Sequence, residues 1–119
     1  MAETLAIVDQ RVLDQLAEDV GAETLPVLIA SLKREIAGAQ AALPEHLAAG
    51  DMEQLEIGSH ALKSAARSFG AMRLGEACLA LEEAARDGAG EEALHGLMDK
   101  FLAQAEETLA AFELMFGAL

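Results

Sequence analysis

Four long runs of this chain place apolar residues three and four positions apart, and a glycine follows each run. That spacing matches the turn of an α-helix, so each run folds with one stripe that has to be covered. The first run spans about Glu23 to Ala49, with Leu25, Leu28, Ile29, Leu32, Ile36, Ala39, Leu43 and Leu47 in its stripe. The second spans Met52 to about Phe69 through Leu55, Ser59, Leu62 and Ala66. The third, Ala71 to Asp87, aligns Leu74, Ala77, Cys78, Leu81 and Ala85. The fourth, Glu91 to about Phe116, runs from Leu94 through Phe101 and Phe112 to Met115. Four such stripes on short connections predict an all-α fold, an antiparallel up-down four-helix bundle. A shorter amphipathic stretch, Asp9 to Asp19, adds a capping helix at the N-terminal end, with Asp9 as its cap and Gly21 as its stop.

Local signals set the breaks. Gly50 followed by Asp51 reads as a helix end and the next N-cap, and Gly88-Ala89-Gly90 as another break. Pro26 suits a first helical turn. Pro44 falls inside the first long run and predicts a kink or break near Ala42. Because the stripe resumes in phase at Leu47, a bend is expected there rather than a domain boundary. The 119 residues, with no repeat or low-complexity linker, are read as a single domain over 1–119 with no kinase or receiver domain attached.

Composition removes several function classes. With 21 acidic and 8 basic residues the net charge is −13, which disfavours nucleic acid and anionic membrane surfaces as partners. No stretch approaches the ~18 apolar residues of a membrane span, and the N-terminus lacks a basic leader region. Cys78 is the one cysteine, so no internal disulfide can form. The expectation is a soluble cytoplasmic protein.

The second long run has two unlike faces. His60 lies about 160° around the helix from buried-stripe Leu62, so it points to water. Lys63, Ser64 and Arg67 follow it at the third, fourth and seventh positions and share its face. A phosphoryl group on that imidazole would find cations and hydrogen-bond donors nearby. Glu56, one turn earlier, is a further candidate to bond the ring. The other histidines have no such context. His95 stands three residues after Glu92, but a di-iron bundle site needs two Glu-x-x-His pairs and two more carboxylates, which this chain lacks.

The sequence His60-Ala61-Leu62-Lys63-Ser64, with Gly70 ten residues after the histidine, resembles the phosphorylation motif of histidine-containing phosphotransfer (HPt) domains. That family's usual pattern is His-x-Leu-Lys-Gly, and Ser64 stands where the first glycine is usual. The similarity extends to Ala48-Ala49-Gly50-Asp51 before the histidine helix and to Leu74 through Arg86 after it. The resemblance implies a phosphorelay intermediate without autokinase activity. In it His60 would take phosphate from one receiver aspartate and pass it to another, with Lys63 and Ser64 assisting. It also implies partners: response-regulator receiver domains or a hybrid histidine kinase. The chain would be a monomer without a cofactor of its own, the Mg²⁺ belonging to the receiver. Arg67 is a candidate phosphate or partner contact, and Glu82 and Arg86 on the next helix are candidates for orienting the imidazole or for contacting phosphate or partner. Ala61, Met72 and Leu13 are candidate members of the docking surface. The alternative is a helical adaptor that binds a receiver or kinase without carrying phosphate. No nucleotide-binding glycine loop is present to support a kinase.

Overall fold

The computed structural model describes residues 5–117, and they form five α-helices with no strand among them. Helix α1 covers Gln10–Val20, α2 Leu25–Ala48, α3 Met52–Ser68, α4 Met72–Asp87 and α5 Glu91–Phe116. The four long helices pack in a ring, α2 against α3 and α5, and α4 against α3 and α5. Neighbours run antiparallel, as the pairings across the α3–α4 seam show. Lys63 and Arg67 of α3 meet Glu82 and Glu76 of α4 in reversed order. This is the up-down bundle that the four stripes predict, with α1 as the short extra helix.

The stripes supply the core. Ile29, Ile36, Leu55, Leu74, Leu81, Phe101 and Phe112 are fully buried. At about 25 cal/mol per Å² of apolar surface, each large side chain withdrawn from water contributes roughly 1.5–3 kcal/mol. Three details depart from expectation. Met115 is exposed, because it lies in the last turn of α5. Leu13 is 1 % exposed and packs in the core, which removes it from the docking surface. Helix α2 begins at Leu25 rather than Glu23, because the Thr24 and Leu25 N–H groups donate back to the Gly21 carbonyl in a turn.

Pro44 does not break α2, which runs unbroken from Leu25 to Ala48. Interior proline costs about 3 kcal/mol of helix stability. Burial of Leu43 and Leu47 on either side of it holds the backbone in register. Leu43 packs on α3 at Gly58, where an added Cβ would stand 2.7 Å from its Cδ2. The glycine two residues before His60 thus admits a neighbouring side chain.

Helix ends fix how α3 is presented. Asp51 caps it by accepting from the Gln54 N–H at 3.1 Å. At its other end Gly70 adopts φ +78°, and the Ala71 N–H reaches back to the Ala66 carbonyl at 2.9 Å. This is a glycine-terminated helix end whose last carbonyls are satisfied. Gly70 also seats α1: its carbonyl accepts from the Asp9 N–H at 2.8 Å, and a Cβ there would stand 2.8 Å from the Asp9 carbonyl oxygen. The turn that ends the histidine helix is therefore the dock for the capping helix.

Candidate functional site

His60 lies near the middle of α3, on the side opposite Leu62 and next to buried Ser59. Its side chain is 60 % exposed. The ring is not free, however. Its Nδ1 lies 3.1 Å from Oε2 of Glu82, which reaches across from α4. The other oxygen of that carboxylate, Oε1, stands 2.7 Å from Nζ of Lys63. Glu82 is 8 % exposed, so a carboxylate that burial would destabilise is held between an ammonium and an imidazole. Lys63 is the charge partner of an oxygen that has no hydrogen-bond partner otherwise.

This arrangement holds Glu82 ionised. The hydrogen bond from Lys63 is the largest influence and draws its pKa below the ordinary carboxylate value; burial opposes, and His60 adds to the lowering. An ionised carboxylate at Nδ1 can only accept, so a neutral imidazole there carries its proton on Nδ1. The lone pair then sits on Nε2, the outer nitrogen.

The remaining candidates are placed as follows. Ser64 is exposed one turn beyond His60, and its carbonyl accepts from Ser68 Oγ at 2.9 Å. Arg67 is exposed but not free. Its stem lies across Gly75 of α4, where a Cβ would come within 2.9 Å of its Cγ, and its Nη2 meets Glu76 at 3.4 Å. Arg86 pairs with Glu83 and Asp87 of its own helix. Asp87 is the main cause of its raised pKa, and Glu56 of α3 is near enough to add a little. Glu56 itself makes no hydrogen bond to the ring among the described contacts; Glu82 occupies that position. Ala61 is exposed beside His60, and Met72 is half-buried at the start of α4.

Sequence reasoning missed Gly75 and Glu76. A glycine inside a helix costs up to about 1 kcal/mol relative to alanine, and Gly75, the fourth residue of α4, carried that signal. Here it is the gap that lets an arginine of the histidine helix lie flat against α4.

Cys78 is fully buried beneath this seam. Burial is the main cause pushing its thiol pKa up to about 12, with Arg67, Glu82 and Lys63 close enough to contribute. It is a core side chain, not a nucleophile.

One imidazole, held out in solvent by a buried carboxylate on a rigid bundle and lined by cations, defines a helical group carrier. The comparisons with known proteins agree. The Hpt domain profile matches residues 23–111. The chain is 36 % identical over 81 residues to the phosphorelay protein LuxU of Vibrio cholerae, covering 68 % of this chain and 72 % of that one. It is 32 % identical over 80 residues to LuxU of Vibrio harveyi, covering 67 % and 70 %. Among solved structures it superposes on histidine-containing phosphotransfer protein B (HptB) of Pseudomonas aeruginosa. The TM-score is 0.87 at 26 % identity, over 95 % of this chain and 96 % of that one. The chain belongs to the Hpt domain family, whose function is histidine phosphotransfer in two-component phosphorelays.

Proposed function

We propose that His60 is the residue that carries the phosphoryl group, taking it from the aspartyl phosphate of one receiver domain and passing it to the aspartate of another. The observation that carries this reading is the His60–Glu82 contact at 3.1 Å on a ring that is 60 % exposed. Glu82 holds the proton on Nδ1, and Nε2 is the nucleophile. As Nε2 bonds to phosphorus, the acyl P–O bond breaks and its electrons return to the receiver's aspartate. The product is a phosphoramidate whose ring retains its Nδ1 proton and gains positive character, which the ionised Glu82 stabilises. Donation to the second receiver is the reverse of these steps.

Lys63 acts in two ways in this reading. It keeps Glu82 ionised, and its ammonium lies one turn from the ring, where it offsets incoming phosphate charge. Ser64, exposed and small, leaves the approach to the imidazole open. Arg67 sits at the edge of the same face, where a docked partner would cover it. Arg86, engaged with acids of its own helix, has the weakest geometric support as a phosphate contact.

The partners are receiver domains of response regulators, or of a hybrid histidine kinase, and the Mg²⁺ used in the transfer is theirs. The protein works as a cytoplasmic monomer without autokinase activity. No described helix is long and apolar enough to cross a membrane, which is compatible with that location. The test is incubation with a receiver labelled as its aspartyl phosphate. Label moves to the wild type and not to His60→Gln. Label that moves equally to both, or to neither, contradicts the proposal.

A further inference from the structure

The basic residues fall into two sets. Arg11, Lys63, Arg67 and Arg86 each pair with a carboxylate. Lys33, Arg34, Arg73 and Lys100 have no carboxylate partner among the described residues. On a chain of charge −13, where acids outnumber bases by 21 to 8, these four cations stand without a carboxylate although acids are plentiful. Lys33 and Arg34 face Glu106 and Glu113 across a groove between α2 and α5. Arg73 and Lys100 instead share a groove of about 400 Å³ between α4 and α5. Its only acid among the described residues, Glu76, is already engaged by Arg67.

Two more features of that groove are unexplained by the transfer reaction. Its floor is hydrocarbon, formed by Ala77, Ala80, Leu97 and Ala103. Gln104 lines it as well, and the amide Oε1 is buried without a hydrogen-bond partner. A buried, unsatisfied amide in a folded protein calls for a partner. Gln104 also carries an amide NH₂, which gives the groove lining a donor beside the two cations. Arg73 is oriented at the rim because its Nε donates to the Leu5 carbonyl, which leaves its terminal nitrogens unassigned.

We propose that the α4–α5 groove binds an aliphatic carboxylate, its anionic head on Arg73, Lys100 and Gln104 and its hydrocarbon body on the alanine floor. The volume lies in the range of small-molecule sites, which combine an apolar lining with a few directed polar groups. A phosphate ester lacking a hydrocarbon part would leave the floor uncovered, and an amphipathic amine would meet two cations. The site is independent of His60, so its test stands apart from that of phosphotransfer.

The probe is octanoate, titrated into uniformly ¹⁵N-labelled protein and followed by amide chemical shifts. Saturable shifts are expected at Ala77, Ala80, Lys100 and Ala103, in the wild type and equally in His60→Gln. Octanol and octylammonium at the same concentrations are expected to give none. Arg73→Ala and Lys100→Ala are each expected to weaken binding about fivefold or more. Lys100 makes no described structural contact, so its variant reports on binding even if loss of Arg73 loosens Leu5. The proposal is overturned if octanoate gives no saturable shift or if octanol or octylammonium binds equally well. It is also overturned if folded Lys100→Ala binds octanoate as tightly as the wild type.

Discussion

Glu82 joins two groups of the histidine helix at once: one carboxylate oxygen lies 3.1 Å from His60 Nδ1, the other 2.7 Å from Lys63 Nζ. The buried charge and the nucleophile's tautomer are therefore set by the same side chain. Glu82→Gln keeps an acceptor for Nδ1–H but removes the charge. It should slow phosphoryl acceptance by about tenfold or more, judging by what loss of such orienting partners costs elsewhere. Glu82→Ala should slow it further. Initial rates of label transfer from a phosphorylated receiver measure both.

The same carboxylate makes stability depend on acid. Its folded pKa lies below the ordinary 4.5, chiefly because of Lys63. The stabilisation is thus fully present above pH 4.5 and is lost as pH falls through the lower folded value. Urea unfolding at a series of pH values should show the wild type losing stability below pH 4.5 more steeply than Glu82→Gln. Lys63→Met removes the largest cause and should move the acid transition upward in pH.

Two glycines of α3 and its end give opposite predictions. Gly70→Ala places a Cβ at φ +78° and 2.8 Å from a backbone oxygen of Asp9, neither of which can yield easily. It should destabilise the protein by about 1–3 kcal/mol and loosen α1. At Gly58 the obstacle is the end of the Leu43 side chain, 2.7 Å away, on an ordinary helical backbone. A rotamer change relieves it, and alanine recovers about 1 kcal/mol of helix propensity, so the net effect of Gly58→Ala should be under about 1 kcal/mol. Denaturant midpoints of the two variants decide the contrast.

Cys78 should be silent in the folded state. With its thiol pKa near 12 and no exposed surface, it offers almost no thiolate at pH 8. A thiol reagent should label it only at the rate of global unfolding, and promptly in denaturant. Rapid labelling of native protein would contradict its placement in the core.

The fold was legible because helical periodicity is a local property, and four stripes with glycine breaks leave few ways to cover themselves. His60's exposure was legible for the same reason: Leu62 and Leu55 fix which side of α3 is inward. The partners of Lys63 and Arg67 were not. A single helix places two cations beside His60, but only packing brings the α4 acids Glu82 and Glu76 against them. What reads as a free cationic face is a row of ion pairs along the α3–α4 seam. Glu82 itself was reached through family resemblance, since 22 residues separate it from His60 and no periodicity links the two. The local cost of Pro44 is visible in sequence, whereas the burial of Leu43 and Leu47 beside it, with which α2 stays continuous, is not.

The most direct measurement is the position of the phosphorus itself. Protein labelled with ¹⁵N in its histidine rings, phosphorylated by a receiver, should show ³¹P coupling at Nε2 of His60, with Nδ1 still protonated against Glu82. Coupling at Nδ1, or phosphate found on His46 or His95 instead, would contradict the account.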